Sequence, residues 1–231
     1  MTVTTAMILA AGLGTRLRPV TETTPKPLLR VAGRPLIEHH LERLSAAGIR
    51  RVVVNLHHLG SLLRTHLGDG SRWNLEIVYS EEPQLLETAG GIRAALPLLG
   101  EAPFLVVNGD VFCDQDPASL LAGPGEALCH LVMVPTPPWR SHGDFDPAPD
   151  PPGPDRRFAL VDGGRRRLTY SGLGVFDPAM FRNVEEGPLP LRPLFEAGIA
   201  AGRITGELHE GYWDDIGTRE RLRAARARFG D

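Results

Sequence analysis

Residues 6–19 read AMILAAGLGTRLRP, and this stretch decides the fold. Its first five residues form a short apolar run that predicts a buried strand, and two glycines follow it. Because glycine has no Cβ, backbone N–H groups after such a strand can converge on an anion. A Walker loop is disfavoured because the Gly-Lys-Ser/Thr ending is absent, and a dinucleotide-binding fingerprint is disfavoured because Leu17 replaces its third glycine. Two glycines alone would indicate only a tight turn.

Basic side chains close to this loop favour phosphate binding. Arg16 lies within the loop, and residues 24–28 read TPKPL. The two prolines restrict the backbone on both sides of Lys26 and so fix the direction in which this residue leaves the chain. Alone, Lys26 would be interpreted as a solvated surface lysine. Together with Arg16 and the glycine loop, it predicts a phosphate site.

Apolar strand patterns alternate with helical patterns along most of the chain. This alternation predicts an α/β fold with a mainly parallel, mixed sheet and helices on both faces, in one domain over residues 1–231. A proline-rich stretch at residues 135–155 predicts a long loop that is too polar to pack. The Asp-Gly-Gly between residues 158–161 and 168–170 predicts a hairpin. The predicted strands cover residues 6–10, 51–55, 75–79, 104–108, 128–134 and 173–176, and the predicted helices cover residues 36–47, 59–67, 88–96, 190–201 and 218–229.

Composition excludes several classes of protein. The chain has 231 residues and a formal net charge of -3, so no broad basic field is available to bind nucleic acid. No apolar run approaches the roughly 20 residues that span a bilayer, and no signal peptide pattern opens the sequence. We therefore expect a cytoplasmic protein that does not associate with a membrane. The sequence implies no protein partner. Cys113 and Cys129 alone cannot form a zinc site or a disulfide scaffold, and we expect reduced, mostly buried thiols.

Carboxylates follow a predicted strand and also occur near the end of the chain. Residues 108–110 read NGD and close the apolar strand at residues 104–108. Ligands of open parallel sheets bind outside the carboxyl ends of the strands, where Asp110 could hold Mg²⁺. An aspartate in a strand-end turn is also a common structural feature. A second carboxylate from residues 212–218, YWDDIGT, would favour the metal site, and either Asp214 or Asp215 could supply it.

The glycine loop, the TPKPL motif and the YWDDIGT motif together resemble those of the sugar-1-phosphate nucleotidyltransferases, and the resemblance covers nearly the whole chain. It implies a Rossmann-like, GT-A-like fold and a nucleoside triphosphate bound over the glycine loop. The family motif Trp-x-Asp-x-Gly-Thr selects Asp215, which with Asp110 would hold the catalytic Mg²⁺, while Asp214 would be structural. Arg16 and Lys26 would complete the catalytic set. The implied nucleotide-binding residues are Ala11, Gly12, Leu13, Gly14, Thr15, Arg16, Lys26, Glu87, Thr88 and Gly91.

Residues 86–91, LETAGG, resemble the base-side motif of the family, usually Leu-Gly-Thr-Ala-Gly. Glu87 departs from the common glycine, as in a subgroup that resembles the N-acetylmuramate-1-phosphate uridylyltransferases of cell-wall recycling. Residues 66–71, 107–111 and 143–145 are also similar to that subgroup. The resemblance implies UTP and N-acetylmuramate 1-phosphate as substrates, with UDP-sugar and pyrophosphate as products. The implied sugar-binding residues are Asn108, Asp144, Ser171 and Gly172.

Alternatives remain open at the sugar end. The Glu-Lys-Pro tripeptide of many family members, whose lysine meets the sugar phosphate, is absent between Asp144 and Ser171. Arg140 could replace that lysine, and so could one of the arginines at positions 156, 157, 165, 166 and 167, although a solvated basic hairpin is the favoured interpretation of those five. A mannose or heptose 1-phosphate with GTP is the alternative substrate pair. A non-catalytic nucleotide-sugar-binding regulatory module is the alternative class, and the intact Lys26 and the two carboxylates argue against it. We expect no hexapeptide β-helix domain and a solvated basic face on the final helix.

Overall fold

A computed structural model describes residues 2–149, 157–165 and 167–230. Thirteen strands and five α-helices lie in this part of the chain. The strands are β1 (Thr5–Leu9), β2 (Arg30–Val31), β3 (Arg34–Pro35), β4 (Arg51–Leu56), β5 (Glu76–Glu81), β6 (Phe104–Asn108), β7 (Val111–Cys113), β8 (Cys129–Pro135), β9 (Asp146–Pro147), β10 (Phe158–Val161), β11 (Leu168–Phe176), β12 (Ile204–Leu208) and β13 (Trp213–Asp215). The helices are α1 (Leu36–Ala47), α2 (Gly60–Leu67), α3 (Glu87–Leu99), α4 (Arg192–Ala200) and α5 (Arg219–Phe229).

Nine strands form the central sheet in the order β5-β4-β1-β6-β11-β8-β12-β10-β9. Strands β5, β4, β1 and β6 run parallel, whereas β11 runs antiparallel to both β6 and β8. A separate two-stranded sheet pairs β7 with β13 and places Asp215 opposite Val111. This pairing brings the end of the chain back to the turn that follows β6. It therefore connects the two carboxylate motifs that the sequence keeps far apart.

Helices cover both faces of the sheet. Successive β1 residues alternate between two apolar cores, since Ile8 belongs to one core and Met7 to the other. The first core contains side chains of α1 and α2, such as Leu41, and the second contains side chains of α3 and α4, such as Phe195. The predicted α/β class, with a mixed sheet between two helical layers, is confirmed. Among the described residues, no helix combines the length and the apolar character needed to cross a bilayer.

The predicted hairpin around Asp-Gly-Gly is wrong. Strand β10 pairs with β9 and β12, whereas β11 pairs with β6 and β8. The segments at residues 168–170 and 173–176 form one strand, with a register shift between Tyr170 and Gly174. Most of β11 is buried, so it occupies the middle of the sheet rather than a solvent-facing hairpin. The local turn pattern could not reveal this long-range pairing.

Two further predictions need correction. Helix α3 begins at Glu87 rather than after a Thr88 cap, and it passes Pro97 to end at Leu99. The loop at residues 135–155 is anchored, since Phe145 is 1% exposed and Asp146 is 4% exposed. The Asp146 carboxylate accepts hydrogen bonds from two backbone N–H groups of residues 165 and 167, each at 3.1 Å. Residues 150–155 of this loop lie outside the described residues.

Candidate active site

The candidate site lies outside the carboxyl ends of β1, β4 and β6. Strand β1 is the point where the strand order reverses, because β4 lies on one side of it and β6 on the other. Open α/β sheets leave a crevice at such a switch point. A cleft of about 420 Å³ occupies this position.

The glycine loop forms the floor of the cleft. Gly14 has a φ of 61°, in the left-handed region that glycine adopts without strain. A Cβ at Gly14 would also stand 2.8 Å from the Thr21 side chain, whose hydroxyl donates a hydrogen bond to the Gly14 carbonyl. Leu17 is fully buried against Leu36 and their apolar neighbours. The residue that disfavours a dinucleotide fingerprint is therefore the apolar anchor of this loop.

Lys26 and Asp110 form an ion pair at the mouth of the cleft. Lys26 begins a short helical turn after Pro25, and its side chain is only 12% exposed. Asp110 follows β6, and its backbone carbonyl accepts a hydrogen bond of 2.8 Å from Ile216 N–H. The two predicted catalytic residues are thus in direct contact, and the same turn is tied to the segment after β13.

Asp215 completes the charged cluster. Burial is the main cause that raises the pKa of its carboxyl, the charge of Asp110 raises it further, and Arg221, Lys26 and Arg16 oppose the rise. The two carboxylates therefore repel each other within one site. Their hard oxygen donors and mutual repulsion fit a divalent cation, which would relieve that repulsion.

Arg221 forms an ion pair with Asp215 that the sequence did not suggest. Its side chain is 14% exposed, so the predicted solvated basic face of the final helix is wrong at this position. Thr218 caps α5 by accepting a hydrogen bond from the Arg221 backbone N–H at 3.3 Å. A Cβ at Gly217 would lie 2.6 Å from the Arg221 guanidinium and 3.1 Å from that of Arg16. The glycine of the motif leaves the space in which these charges converge.

The 420 Å³ cleft collects most of the predicted nucleotide-binding residues. Leu13 and Gly91 do not line it. Gly91 lies behind the wall, where a Cβ would stand 2.6 Å from Glu82 Oε1. The predicted residues that line the cleft are Ala11, Gly12, Gly14, Thr15, Arg16, Lys26, Glu87 and Thr88.

Asn55 and Glu82 line the same cleft, although no sequence motif pointed to them. Asn55 accepts a hydrogen bond of 2.6 Å from Ala10 N–H and donates one of 2.7 Å to Glu82. The other carboxylate oxygen of Glu82 accepts a hydrogen bond of 3.1 Å from Leu86 N–H. Both residues stand at or just beyond the carboxyl end of a strand, the same signal that selected Asp110.

A second cavity of about 740 Å³ adjoins the cleft. Arg16, Asn108 and Asp110 line both cavities, and Asp215 and Ser171 line the second one. The charged cluster therefore lies where the two cavities meet. Such a junction allows two ligands to approach each other at the cluster.

Two predicted sugar-binding residues do not line either cavity. Gly172 lies behind Asn108, since a Cβ there would stand 2.7 Å from Asn108 Nδ2. Asp144 accepts a hydrogen bond of 2.9 Å from Tyr170 N–H and lies 3.4 Å from Arg140. Asp144 thus holds the 140s loop against β11 and positions Arg140, which does line the second cavity.

Comparison with known proteins identifies the family. The Nucleotidyl transferase family model matches residues 5–136. The chain is 48% identical to an N-acetylmuramate alpha-1-phosphate uridylyltransferase of Neisseria meningitidis serogroup B, over 97% of this chain and 98% of that protein. It is 35% identical to a protein of the same name from Caulobacter vibrioides, over 98% of this chain and 97% of that protein. The chain belongs to the nucleotidyl transferase family. The resemblance inferred from the motifs is confirmed.

The fold of the nucleotidyl transferases is confirmed by a solved structure. The UDP-glucose pyrophosphorylase of Acinetobacter baumannii superimposes with a TM-score of 0.80 at 19% identity, over 99% of this chain and 93% of that one. At this identity the likeness concerns the fold alone.

Glu87 stands where the resemblance to the base-side motif implies a glycine. Its φ is 59°, so the backbone keeps the left-handed conformation that glycine adopts readily. Glu87 lines the 420 Å³ cleft at the beginning of α3. The backbone at position 87 therefore carries strain that a glycine would relieve, and this strain is located at the wall of the cleft.

Trp213 and Asp214 support the cluster from the second cavity. The Trp213 indole N–H donates a hydrogen bond of 2.7 Å to the Ser171 carbonyl, and Trp213 forms part of the wall of the second cavity. Burial raises the pKa of Asp214 to about 6, and the charge of Asp215 contributes to the rise. Asp214 is 7% exposed, which suits the structural role expected for it.

Proposed function

We propose that this nucleotidyl transferase transfers UMP from UTP to a sugar 1-phosphate and releases pyrophosphate, with N-acetylmuramate 1-phosphate as the leading acceptor. The convergence of Arg16, Lys26, Asp110 and Asp215 at the junction of the two cavities carries the proposal. The names of the two relatives support UTP over GTP and N-acetylmuramate over mannose or heptose. The 420 Å³ cleft would hold UTP, and the 740 Å³ cavity would hold the acceptor.

The two carboxylates would hold Mg²⁺. Asp110 and Asp215 offer oxygen donors at the ends of neighbouring segments, joined through the hydrogen bond between Ile216 N–H and the Asp110 carbonyl. When bound, the cation supplies charge neutralisation at the reacting phosphate. Lys26 forms an ion pair with Asp110, and Arg221 forms one with Asp215.

The acceptor needs no general base. A phosphate monoester bears about -1.5 to -2 charge at pH 7, so it is already a nucleophile. The difficulty is to bring two polyanions together in line, and positive groups and backbone N–H groups address it. Lys26 would stabilise the α-phosphate oxygens, while Arg16 and the glycine-loop N–H groups would hold the departing pyrophosphate.

Arg140 is the replacement that we propose for the missing lysine of Glu-Lys-Pro. Arg140 lines the 740 Å³ cavity together with Trp139. The guanidinium of Arg221 lies over the Trp139 ring, 5.5 Å from the ring centre. Two other arginines point elsewhere: Arg157 donates to the Gly123 carbonyl at 3.0 Å, and Arg167 donates to Asp146 at 3.2 Å. Residues 156 and 166, also candidates from the sequence, lie outside the described residues.

The reaction would take place in the cytoplasm, where UTP is made, and it would contribute to cell-wall recycling. Both proposed substrates are small molecules, so the reaction needs no protein partner.

Pyrophosphate release tests the proposal. We expect release with UTP, Mg²⁺ and N-acetylmuramate 1-phosphate, and a much lower kcat/KM for the same sugar with GTP. Mannose 1-phosphate with GTP provides the comparison for the alternative activity. A higher kcat/KM for that pair would replace the proposed substrates, and binding without release for every pair would show a non-catalytic module.

A further inference from the structure

Three potential metal ligands cluster outside the catalytic centre. Cys113 ends β7, Asp114 follows it, and His209 follows β12. One ligand atom from each side chain lies within 4.8 Å of the other two. His209 Nε2 and Asp114 Oδ1 are 2.8 Å apart. The cysteines alone did not indicate a zinc site, but the fold adds an imidazole and a carboxylate to one of them.

The backbone holds each segment of this cluster in place. Asp114 N–H donates a hydrogen bond of 3.0 Å to the Tyr212 carbonyl, and His209 N–H donates one of 2.8 Å to the Met133 carbonyl. Gly211 closes the loop between them without a side chain. A Cβ at this glycine would collide with Asp114 Oδ1 and would stand 2.6 Å from the His209 ring. The cluster therefore occupies a space that a side chain at position 211 would fill.

The donor set selects a class of metal. A thiolate, an imidazole and one carboxylate suit Zn²⁺ and similar borderline divalent ions, whereas Mg²⁺ prefers oxygen ligands alone. Three protein ligands leave a fourth tetrahedral position for water. We propose that Cys113 Sγ, Asp114 Oδ1 and His209 Nε2 bind a zinc-type divalent ion.

The surroundings of Cys113 agree with such a ligand. Burial raises the pKa of the Cys113 thiol to about 11, and the hydrogen bond of 3.3 Å from Gln115 N–H to Cys113 Sγ opposes that rise and orients the sulfur. A coordinated divalent ion deprotonates a thiol outright, so the site would bind the ion as a thiolate. A thiolate and a carboxylate together balance the charge of a divalent ion. Arg43 binds the Cys113 and Gln115 carbonyls and so fixes the backbone beneath the cluster rather than competing for the sulfur.

The position of the cluster gives the bound ion a structural consequence. Strand β7 has Asp110 before its first residue and Cys113 at its end, about 10 Å apart at the usual rise per residue. Its partner β13 ends with Asp215 beside that first residue. An ion at the far end would clamp the strand pair that carries both catalytic carboxylates. It would therefore raise stability by binding only the folded chain.

Cobalt provides a direct probe of the ligand set. Titration of the untagged, reduced full-length protein with Co²⁺, in excess Mg²⁺, should produce a thiolate-to-cobalt charge-transfer band in the near ultraviolet with a stoichiometry of one ion per chain. Carboxylates cannot produce this band, so binding at the Asp110–Asp215 site does not imitate it. Zn²⁺ should displace the cobalt and abolish the band.

Variants distinguish the site from incidental metal binding. Cys113→Ser and His209→Ala should remain folded by circular dichroism, should lose the band, and should lose the rise in Tm that Zn²⁺ gives the unaltered protein. Cys129→Ala is the matched control because Cys129 is the other cysteine and is fully buried away from the cluster in β8. It should keep both signals.

A band that persists in Cys113→Ser, or that disappears in Cys129→Ala, would overturn the proposal. So would the absence of any band in the unaltered protein. These measurements do not depend on nucleotidyl transfer, so their failure and that of the proposed function are distinguishable.

Discussion

The side-chain amide of Asn55 donates a hydrogen bond of 2.7 Å to the carboxylate of Glu82, across the carboxyl ends of β4 and β5. Asn55 is 3% exposed and Glu82 is 4% exposed. Asn55 also accepts a hydrogen bond from Ala10 N–H at the beginning of the glycine loop, and Glu82 accepts one from Leu86 N–H before α3. The pair therefore joins the side of the 420 Å³ cleft that the glycine loop forms to the side where α3 begins.

We expect Asn55→Ala to lower the free energy of unfolding and to weaken UTP binding. The substitution leaves the Ala10 N–H and the Glu82 carboxylate without this partner, and a buried polar group that loses its partner costs about 1–3 kcal/mol. Urea unfolding and calorimetric titration with UTP measure the two effects. Asn183→Ala, at an exposed position, is the control and should change neither quantity. Unaltered UTP affinity in Asn55→Ala would separate this pair from the nucleotide site.

Asp110→Asn and Asp215→Asn should each reduce turnover at least about 100-fold while the fold is retained. Asparagine keeps the shape of the side chain but removes the negative charge that would hold Mg²⁺. Turnover at saturating Mg²⁺ and circular dichroism measure the result. Asp177→Asn is the control, because the Asp177 carboxylate only caps a helical turn by accepting from Ala179 N–H at 2.7 Å. Near-normal turnover in either catalytic variant would contradict the shared metal site.

Lys26→Ala should lower kcat more than it weakens UTP binding. The contact between Lys26 and Asp110 places the ammonium group beside the proposed reacting phosphate, where negative charge develops in the transition state. Steady-state kinetics and UTP titration separate the two effects. A change in UTP affinity alone would limit Lys26 to binding.

Chemical labelling tests the same lysine in the unaltered protein. Lys26 is the only lysine among the 25 Lys and Arg residues. An amine-acylating reagent therefore modifies one side chain besides the N-terminus. We expect inactivation that parallels labelling of Lys26 and is slowed by UTP. Full activity after complete labelling would contradict its catalytic role.

Stability should fall in acid because of His40. Burial, with the nearby charges of His39 and Arg43, lowers the pKa of this imidazole to about 4 from its usual 6.5. Between these values the unfolded chain binds a proton that the folded chain does not. The free energy of unfolding should therefore decrease by about 3 kcal/mol as the pH falls from 6.5 to 4.

Urea unfolding at pH 7.5 and at pH 4.5 measures how much the free energy of unfolding changes with pH. His40→Gln should reduce the difference between the two pH values, since glutamine does not titrate there. Asn183→Ala serves as the control, because it replaces an exposed side chain that does not titrate, and it should leave the difference unchanged. An identical pH difference in His40→Gln would assign the acid sensitivity to other groups.

Glu87→Gly should unfold at a higher temperature than Glu87→Ala. The φ of 59° strains any residue with a Cβ, at a cost of about 1 kcal/mol, and only glycine relieves it. Both variants lose the carboxylate, so their difference isolates the backbone contribution. Equal melting temperatures would show that the backbone at position 87 is not strained.

The sequence by itself determined the family and selected the residues that we propose as the catalytic centre. The glycine loop follows β1 and Asp110 follows β6, and a buried apolar strand leading into a loop can be recognised locally. Lys26 can also be recognised locally, because a proline stands on each side of it. Asp215 required the family motif, because nothing within residues 212–218 distinguishes it from Asp214. The α/β class followed from the alternation of helical and strand patterns, which depends on near neighbours alone.

Only the tertiary structure decided which distant segments meet. The hairpin prediction was wrong because β11 finds its partners in β6 and β8, and no local pattern specifies which strands pair. The contacts between Asn55 and Glu82, and between Arg221 and Asp215, likewise join separate elements. The same is true of Cys113 and His209, which the sequence separates by more than 90 residues. Sheet order and register bring these side chains together, and the burial of whole strands, rather than any motif, sets that order.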